Sequence, residues 1–425
     1  MCAADQFQQY PGSATLDRGC TWARQIGTAS TDSITGTAVD SSGNAIVVGY
    51  TLGALPSFPS LGQADGFVRK YDPAGAILWT DRFGGAGYDT PNAVTVDASG
   101  NIFIAGTTGS AFPGQTLAGY NNAFVRKYNA AGTAQFTKQF GNTSPSGSAY
   151  GQAIALDAAG NIIIGGSTNA AFPTFTQGAV YDGLLLKLDA AGVLVWVTQI
   201  GGVGNDPVYI NAVAADVSGN IFVTGSTSIA LPGQTLSAPG NPDAFVRKYT
   251  PAGAVSATTQ FGNVALQPLF GYGIALDAAG NVYIAGTTYA AFPGYSHFGV
   301  DGFVRKYDSS LTSVWLRELS EPNVGASGNA IAVDGSGNSY FAGTTPGVLT
   351  GQTSSGGADV FVRSFDTAGT ERWTHQLGSA GAETVNAVAV DASGQVFVGG
   401  STTGTWVTQP ANAGGSDAFV LRVLR

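Results

Sequence analysis

The sequence predicts an all-β fold, a seven-bladed β-propeller of four-stranded antiparallel blades, and two observations carry that prediction. The first is the phrase Asp-x-x-Gly-Asn, which occurs seven times in the 425 residues, with Gln as its final residue in the last copy. The copies begin at Asp40, Asp97, Asp157, Asp216, Asp277, Asp334 and Asp391. The second is the near-constant step of 57 to 61 residues between copies, which indicates one supersecondary unit repeated seven times. Repeated residues are therefore expected to be structural, and function is expected where the copies differ.

Each unit contains four short strands. In the unit that begins at residue 92, alternating or β-branched segments predict strands at 92–97, 101–108, 123–128 and 133–140. Tight Asp/Asn-Gly turns join the first strand to the second and the third to the fourth, which is typical of an antiparallel meander. One such sheet is marginally stable alone. Seven sheets arranged radially cover one another, and that arrangement is a propeller.

The two ends of the repeat array predict ring closure. Residues 21–27 match a fourth strand, whereas residues 417–425 match a third strand with no fourth strand after it. The N-terminal strand is therefore expected to complete the last blade, which removes two exposed sheet edges. This assigns residues 21–425 to the propeller and leaves residues 1–20 as an N-terminal arm.

The repeat consensus has a family resemblance. Residues 65–108, 243–287 and 301–345 share the pattern DAFVRKYDxAGxxxWxxQFGGxGxDxxNAVAVDASGNVYVAGTT. The pattern resembles the bacterial seven-bladed β-propeller repeat family abbreviated SBBP, and the resemblance covers residues 21–425. It implies the propeller fold and a bacterial, surface or secreted setting, and it carries no catalytic residues over to this chain.

Composition narrows the class of partner. Charged residues make up 11% of the chain and the net charge is −9, and no basic cluster lies outside the repeated strand position. These features argue against a nucleic-acid partner. No apolar run approaches the length of a transmembrane span. A chain so poor in cysteine and rich in small residues is expected to be secreted or displayed on the cell surface.

The two cysteines, Cys2 and Cys20, both precede the first repeat. Cys2 directly follows Met1 and is followed by small residues, an arrangement that resembles the start of a mature bacterial lipoprotein. A lipid anchor on Cys2 is one interpretation. A Cys2–Cys20 disulfide that pins the arm is a second interpretation, and two free thiols are the third.

The repeated turns could be interpreted as cation sites, but Ca²⁺ takes six to eight oxygen ligands. Each turn supplies one carboxylate and one amide, so the expected role is structural: Asp accepts turn N–H groups and Gly adopts a positive φ. Residues 84–89 and 201–206 resemble a Ca²⁺-binding nonapeptide, but that site needs tandem copies. No metal site is predicted, although a single weakly held ion under Asp89 or Asp206 is left open.

Catalytic constellations are difficult to assemble. The only histidines are His297 and His375, and neither has a partner at the spacing of a zinc site or a Ser-His-Asp triad. No catalytic residue and no cofactor is predicted. A hydrolase with a carboxylate pair is left open. The acids outside the repeat pattern, which are expected in outer strands and loops of late blades, are Glu318, Glu321, Glu371 and Glu383.

The candidate binding surface is the face that carries the long, variable loops, because loops on a rigid scaffold commonly carry binding function. The candidate ligand-binding residues are Tyr88, Tyr150, Tyr209 and Tyr272 in the fourth-to-first loops and Tyr295, His297 and Trp406 in the second-to-third loops. Trp406 is the first choice because repetition explains it least. Aromatic rings beside amides and hydroxyls suit a glycan and equally suit a protein partner.

The sequence thus predicts a non-enzymatic extracytoplasmic propeller that binds a glycan or a cell-surface protein through its long-loop face. A self-assembling component of a cell-surface coat or filament is the main alternative. An enzyme in the central channel ranks third, because the predicted channel-lining strands carry Ala, Val, Thr and Asn rather than convergent acids.

Overall fold

The computed structural model describes residues 22–423 except 143, 179, 202–205, 264, 266, 298, 323 and 407–413. The described residues form 28 strands in seven four-stranded antiparallel sheets, which confirms the predicted propeller. None of the described helical segments is long and apolar enough to cross a membrane. Cys2 and Cys20, and with them the predicted arm, lie outside the described residues.

Each sheet is one blade, and its strands follow one another from the centre of the ring outward. The inner strands are β2 (Asp32–Val39), β6 (Asp89–Val96), β10 (Ala149–Leu156), β14 (Val208–Ala215), β18 (Leu269–Leu276), β22 (Ser327–Val333) and β26 (Glu383–Val390). The second strands are β3 (Ala45–Thr51), β7 (Ile102–Thr108), β11 (Ile162–Thr168), β15 (Ile221–Thr227), β19 (Val282–Thr288), β23 (Ser339–Thr345) and β27 (Val396–Thr402).

The remaining strands form the outer half of each blade. The third strands are β4 (Asp65–Tyr71), β8 (Asn122–Tyr128), β12 (Asp182–Leu188), β16 (Asp243–Tyr249), β20 (Asp301–Tyr307), β24 (Asp359–Phe365) and β28 (Asp417–Val423). The outer strands are β1 (Trp22–Ile26), β5 (Ile77–Phe83), β9 (Ala134–Phe140), β13 (Leu194–Ile200), β17 (Val255–Phe261), β21 (Ser313–Leu319) and β25 (Glu371–Leu377). Blades are numbered one to seven from β2.

Blade seven joins the two ends of the chain. Strand β1 pairs antiparallel with β28, from Trp22 opposite Arg422 to Ile26 opposite Ala418, and the sheet order is β1-β28-β27-β26. The predicted closure by the N-terminal strand is therefore confirmed. Trp22 is 1% exposed, and its Nε1 donates to the carbonyl of Pro73 in blade one at 3.1 Å. The closing strand thus also contacts the blade beside it.

The hydrophobic core is divided among the interfaces between blades. The second strands are almost wholly buried, and one cluster joins Val48 of blade one to Ile102 and Phe124 of blade two. The outer-strand tryptophans reach across the same interfaces, as predicted: Nε1 of Trp196 donates to the carbonyl of Pro251 in the next blade at 3.2 Å. Burial of these apolar faces between blades is what makes each four-stranded sheet stable.

The repeated turn has the predicted structural role. In the first copy, Oδ1 of Asp40 accepts from the backbone N–H groups of Ser42 and Asn44 at 2.9 and 3.0 Å, and Gly43 has φ of 77°. Lys70 of the third strand adds an ion pair to Asp40 at 2.8 Å. Burial raises the pKa of Asp40, but the hydrogen bonds from Lys70 and Asn44 outweigh it, so that the pKa lies below its usual value.

Candidate functional site

The fold separates short turns from long loops. First-to-second and third-to-fourth turns lie on one face, here called the short-turn face, and the other connections lie on the opposite, long-loop face. The central channel opens on the long-loop face into a cavity of about 400 Å³ beside blades four to seven. A second cavity of about 420 Å³ continues toward blades one and two and shares Gln152 and Asn386 with the first. We call this opening the channel mouth, and its size is that of a small-ligand site.

One residue of every inner strand sits on a β-bulge. The pairing register between each inner strand and its second strand shifts at the same place in all seven blades. Such a bulge leaves one residue unpaired and re-aims its side chain. The seven residues at the bulges, which all line the channel, form the mouth ring: Thr35, Asn92, Gln152, Asn211, Tyr272, Asn329 and Asn386.

Most of the mouth ring is hydrogen-bonded from blade to blade. Four asparagines donate Nδ2 to a backbone carbonyl of the next inner strand: Asn92 to Gly151 at 2.7 Å, Asn211 to Gly271 at 2.8 Å, Asn329 to Val385 at 2.5 Å and Asn386 to Ile34 at 2.7 Å. Thr35 Oγ1 donates to the carbonyl of Pro91 at 2.6 Å. Gln152 and Tyr272 depart from the pattern. They interrupt the otherwise repeated hydrogen bond from blade to blade, and both line the mouth.

An aromatic group lies on one side of the mouth. The second residue of the inner strand is Tyr150, Tyr209 and Phe270 in the consecutive blades three, four and five. The equivalent residues in the other blades, counted back from the bulge, are Ser33, Thr90, Ser327 and Thr384. Tyr181, Tyr272 and Tyr289 join the three aromatic residues, and we call all six the aromatic arc. The mouth therefore has an aromatic side and a hydroxyl side.

The arc consists of two ring clusters. Tyr181 lies between Tyr150 and Tyr209, with ring centroids at 6.2 and 5.6 Å. Phe270 stacks on Tyr272 at 5.8 Å and 12° and meets Tyr289 edge-on at 6.3 Å. Tyr272 is 39% exposed and Tyr289 is 43% exposed, so both rings retain free surface.

Three tyrosines of the arc, Tyr181, Tyr209 and Tyr272, have a pKa raised above the usual value. The neighbouring Tyr150 raises the pKa of the Tyr181 phenol, and burial adds to this. Burial raises the pKa of Tyr209 and of Tyr272, with neighbouring phenols contributing less. At these three positions the arc offers aromatic faces and protonated hydroxyl groups.

The structure places three predicted site residues together, although in strands rather than in loops. Tyr150, Tyr209 and Tyr272 belong to β10, β14 and β18, not to the fourth-to-first loops. Tyr289 and the asparagines of the mouth ring were not predicted as site residues. The asparagines recur, and repetition by itself indicates a structural role. The bulge gives each of them a structural nitrogen and a second, channel-facing group.

Trp406 does not fit its predicted role as a ligand contact. It is 3% exposed and packs on Phe419 with ring centroids 5.3 Å apart. It lies four residues after the end of its second strand, where the other blades carry Leu55, Phe112, Phe172, Leu231, Phe292 and Leu349, all buried. Trp406 therefore packs beneath its own loop, at a position that recurs in all seven blades. We call the residue at this position of each blade the plug residue.

The other predicted residues lie away from the mouth lining. Tyr88 is 58% exposed in the loop before β6. Tyr295 donates its hydroxyl to the carbonyl of Leu316 at 2.8 Å and so packs its loop against β21. Nδ1 of His297 lies 2.9 Å from Oδ2 of Asp301 at the start of β20. As ligand contacts, these three residues remain expectations.

Blade five also differs in its outer strand. In blade six, Gln376 accepts from the N–H of the plug residue Leu349 at 2.9 Å and donates Nε2 to Asp359 at 2.7 Å. Glu318 occupies the equivalent position in blade five and accepts from the N–H of Phe292 at 3.0 Å. Burial, together with the charge of nearby Asp301, raises the pKa of Glu318 to about 7. Glu318 thus titrates near neutral pH, at a position where five other blades carry a glutamine amide and blade one carries Arg82.

The acids do not gather into a catalytic or metal centre within the described residues. Glu318 and Glu371 lie in outer strands, as expected, but Glu383 does not: it begins the inner strand β26 and is buried. Its carboxylate accepts from the N–H of Ser379 at 2.9 Å and from Thr402 Oγ1 at 2.6 Å. No described group of three or more His, Cys, Asp or Glu residues could hold a metal.

Asp89 and Asp206 belong to the two segments that resemble a Ca²⁺-binding nonapeptide. Oδ2 of Asp89 accepts from the N–H of Gly85 at 2.6 Å, and Oδ1 accepts from Thr108 Oγ1. Burial raises the pKa of Asp89. Its oxygens therefore serve the turn itself. Asp206 is exposed, and residues 202–205 beside it lie outside the described part of the chain.

Comparison with known proteins supports the repeat assignment. The SBBP model, described as a beta-propeller repeat, matches residues 21–56, 78–113, 135–173, 195–231, 258–293, 314–349 and 372–405. An uncharacterized WD repeat-containing protein, L264, of Acanthamoeba polyphaga mimivirus is 23% identical over 430 residues. That match covers 76% of this chain and 30% of the viral protein, so the chain spans about a third of the length of this relative.

Several solved structures are similar to this chain at low sequence identity. A polysaccharide lyase of the ulvan lyase family PL25 is 12% identical, with a TM-score of 0.47 and coverage of 93% of this chain and 95% of its own. A gluconolactonase from Xanthomonas campestris is 12% identical, with a TM-score of 0.38 and coverage of 94% and 89%. The propeller domain of the Trilobed protease from Pyrococcus furiosus is 7% identical, with a TM-score of 0.46 and coverage of 87% and 91%. These similarities concern the fold alone.

Proposed function

Because the chain belongs to the SBBP beta-propeller repeat family, and that membership names no activity, we propose a function from the channel mouth: non-enzymatic binding of a glycan through the long-loop face. We place the protein outside the cytoplasm, secreted or on a bacterial cell surface. A lipid on Cys2 or a Cys2–Cys20 disulfide would fix its N-terminal arm. A cell-surface protein is the other ligand that such a face would suit.

The aromatic arc carries this proposal. Three consecutive blades place an aromatic residue where the other four place Ser or Thr, and these three rings are half-buried rather than buried in the core. Tyr272 and Tyr289 keep exposed faces, and the amides of Gln152 and Asn386 line the same cavity. An aromatic ring stacks on the apolar face of a sugar while nearby amides bond its hydroxyl groups.

The chemistry of the mouth supports binding rather than turnover. Its lining consists of amides, hydroxyls, aromatic rings and small apolar groups, without a charged side chain among the described lining residues. General acid–base catalysis needs a titratable group within hydrogen-bond reach of the reacting atom. The neighbouring acids Glu318 and Asp301 lie outside this lining.

A glycan array tests the proposal, with wild-type protein and Tyr272→Ala side by side. We expect wild type to bind and the variant to bind at least about ten-fold more weakly, because one stacking face is lost (about 1.4 kcal/mol). Tyr120→Ala is the control, since Tyr120 is 69% exposed on the same face outside the mouth lining. Equal loss in both variants would move the site away from the mouth. No binding by any of the three proteins would contradict a glycan ligand and favour a pull-down for a protein partner.

One observation favours self-assembly as a second candidate. Strand β13 is an outer edge with no charged side chain, and Val193, Leu194 and Val195 are exposed at 58, 42 and 56%. Natural sheets usually protect such edges with charges. An elution volume that shifts with loading concentration in size-exclusion chromatography would support assembly through this edge.

A further inference from the structure

One residue on the hydroxyl side of the mouth breaks a repeated pattern. The residue two places before each bulge lies opposite one residue of the second strand. In six blades that partner is Ser or Thr: Thr107, Ser167, Ser226, Thr287, Thr344 and Ser401. In blade one the partner, opposite Ser33, is Tyr50. Because the scaffold uses a small hydroxyl residue here six times, the aromatic ring of Tyr50 indicates a role beyond the scaffold.

Tyr50 lines the second cavity of the mouth. It is half-buried and borders the cavity of about 420 Å³ together with Ser33 and Asn92. Val48, two residues earlier in β3, packs in the interface between blades one and two. Side chains two residues apart in a strand share a face, so Tyr50 faces the same interface at its long-loop end. Its ring thus lies where the packed interface ends and the mouth begins.

The mouth therefore has aromatic residues at two separate places. Tyr272 and Tyr289 of blade five line the first cavity, and Tyr50 of blade one lines the second. Each cavity alone has the size of a small-ligand site. Blades six and seven lie between the two places on one side of the ring, and the hydroxyl and amide groups that they add to the lining belong to Ser327, Asn329, Thr384, Asn386 and Ser401. The result is a path with an aromatic ring at each end and hydrogen-bonding groups along it.

Such a path fits a chain of sugars better than a single sugar. An aromatic ring stacks on the apolar face of a sugar, and hydroxyl and amide groups both donate to and accept from sugar hydroxyls. A single sugar in one cavity contacts one of the two aromatic places, whereas a chain contacts both. When two contacts belong to one molecule, the second forms at a high effective concentration, and the affinity exceeds that of either contact alone.

We propose that Tyr50 forms a second stacking subsite, and that the ligand is an oligosaccharide chain that spans the mouth from blade five to blade one. This inference rests on the proposed glycan-binding function and specifies the length of glycan that the site takes. One sugar stacks on Tyr272 or Tyr289, the following sugars bond to blades six and seven, and a further sugar stacks on Tyr50. Affinity therefore rises with chain length until both subsites are filled.

The test uses size series of free oligosaccharides, from the monosaccharide upward, among them the malto-, cello- and chito-oligosaccharides. Affinities are measured in solution, so that the density of a printed surface does not imitate chain length. We expect long members of at least one series to bind at least ten-fold more tightly than the monosaccharide and disaccharide of that series. Equal binding of short and long members overturns this inference and leaves the glycan-binding function standing. No binding of any member overturns both proposals.

Tyr50→Thr tests the subsite itself. It gives blade one the Gly-Thr-Thr sequence that blades two, five and six carry at this place, so the fold accommodates it. We expect this variant to bind long oligosaccharides at least ten-fold more weakly than wild type and short ones equally. Long chains that bind Tyr50→Thr as they bind wild type, or an equal loss for short and long chains, overturn the inference.

Two further variants isolate the cause of that loss. Tyr50→Phe keeps the aromatic ring and is expected to keep the preference for long chains. Tyr120→Thr removes an exposed ring outside the mouth lining and is expected to bind every member as wild type does. If Tyr50→Phe or Tyr120→Thr loses as much affinity for long chains as Tyr50→Thr, stacking on Tyr50 is not what binds the chain, and the inference is overturned.

Discussion

Residue 318 places a carboxyl group where five other blades carry glutamine. In all five blades the glutamine oxygen accepts from the N–H of the plug residue. In four of them the glutamine nitrogen also donates to the Asp that begins the third strand. Glu318 keeps the first bond, to Phe292 at 3.0 Å, but must be protonated to donate to Asp301. Oε1 of Glu318 is buried without a hydrogen-bond partner among the described residues, at the position where those four blades place the donating amide nitrogen.

This substitution predicts stability that falls as pH rises. Burial holds the pKa of Glu318 at about 7 in the fold against 4.5 as its ordinary value, so the folded state binds the proton more tightly. The contribution is fully present below about pH 4.5 and is lost as pH rises through about 7. Glu318→Gln supplies the missing donor. We expect its melting temperature to exceed that of wild type at pH 8, with a smaller difference at pH 5.

Blade six provides a reciprocal control for this prediction. Gln376→Glu introduces the same acid beside Asp359, to which Gln376 now donates at 2.7 Å. The variant is expected to lose more stability at pH 8 than at pH 5. If the melting temperature of Glu318→Gln differs from that of wild type equally at both pH values, protonation of Glu318 does not contribute to stability.

Trp406 gives a second prediction at this scale. Its indole is 3% exposed, so Trp406→Ala leaves a cavity and is expected to cost about 3–5 kcal/mol in the free energy of unfolding. Tyr120→Ala removes an exposed ring and is expected to stay within about 0.5 kcal/mol of wild type. Urea titration measures both. A stability loss below about 1 kcal/mol for Trp406→Ala would contradict the assigned plug role.

Single residues were predictable only in part. Tyr150, Tyr209 and Tyr272 could be selected because an aromatic residue interrupts a repeat of small polar residues. Trp406 was misjudged because its identity is unusual while its position, four residues beyond the second strand, is repeated. The asparagines are not predicted as site residues because they recur. A repeated residue can nevertheless serve the scaffold with one atom and face a ligand with another.

At the scale of elements, the strands followed from the repeat but the starts of the inner strands did not. Residues such as Tyr150 and Tyr272 stand beside Gly, which is typical of turns. The bulge accounts for the difference, because it inserts one extra residue into the inner strand and displaces the alternation of buried and exposed side chains. A bulge is set by pairing with the second strand, which a local pattern does not reveal.

The uncharged edge of β13 yields a prediction for association. Val195→Lys places a charge on the exposed outer strand, and we expect it to reduce any concentration-dependent shift in elution volume. Val217→Lys is the matched control, because Val217 is 85% exposed in a turn of blade four and lies away from that edge. A wild-type protein that elutes independently of concentration, or an equal effect of both variants, would contradict assembly through β13.

At the scale of the whole molecule, the pairing of β1 with β28 in blade seven makes one tryptophan more important for stability than the equivalent tryptophans of other blades. Trp22 is 1% exposed and anchors the only strand that joins the two ends of the described chain. We expect Trp22→Ala to lower the urea midpoint more than Trp196→Ala, whose indole is half-buried and whose strand continues directly into its blade. Equal losses would show that closure adds nothing to the packing of an ordinary blade interface.

The count of seven blades and the closure were predictable, because both follow from spacing and from the matching of the two ends. The asymmetry of the mouth was not. Tyr150, Tyr209 and Phe270 are about 60 residues apart in sequence, and only the ring brings their shared position onto one side of a single opening. The sequence distributes the arc over three repeats, each of which looks like an isolated variation.

The pairing of Trp22 with Arg422 also fixes how the molecule faces its surroundings. Strand β1 starts, and strand β28 finishes, on the short-turn face, so both ends of the described chain lie on that side. A tether at either terminus would hold the disc with its short turns toward the support. The channel mouth would then point outward, unobstructed by its own attachment, toward whatever approaches from the medium.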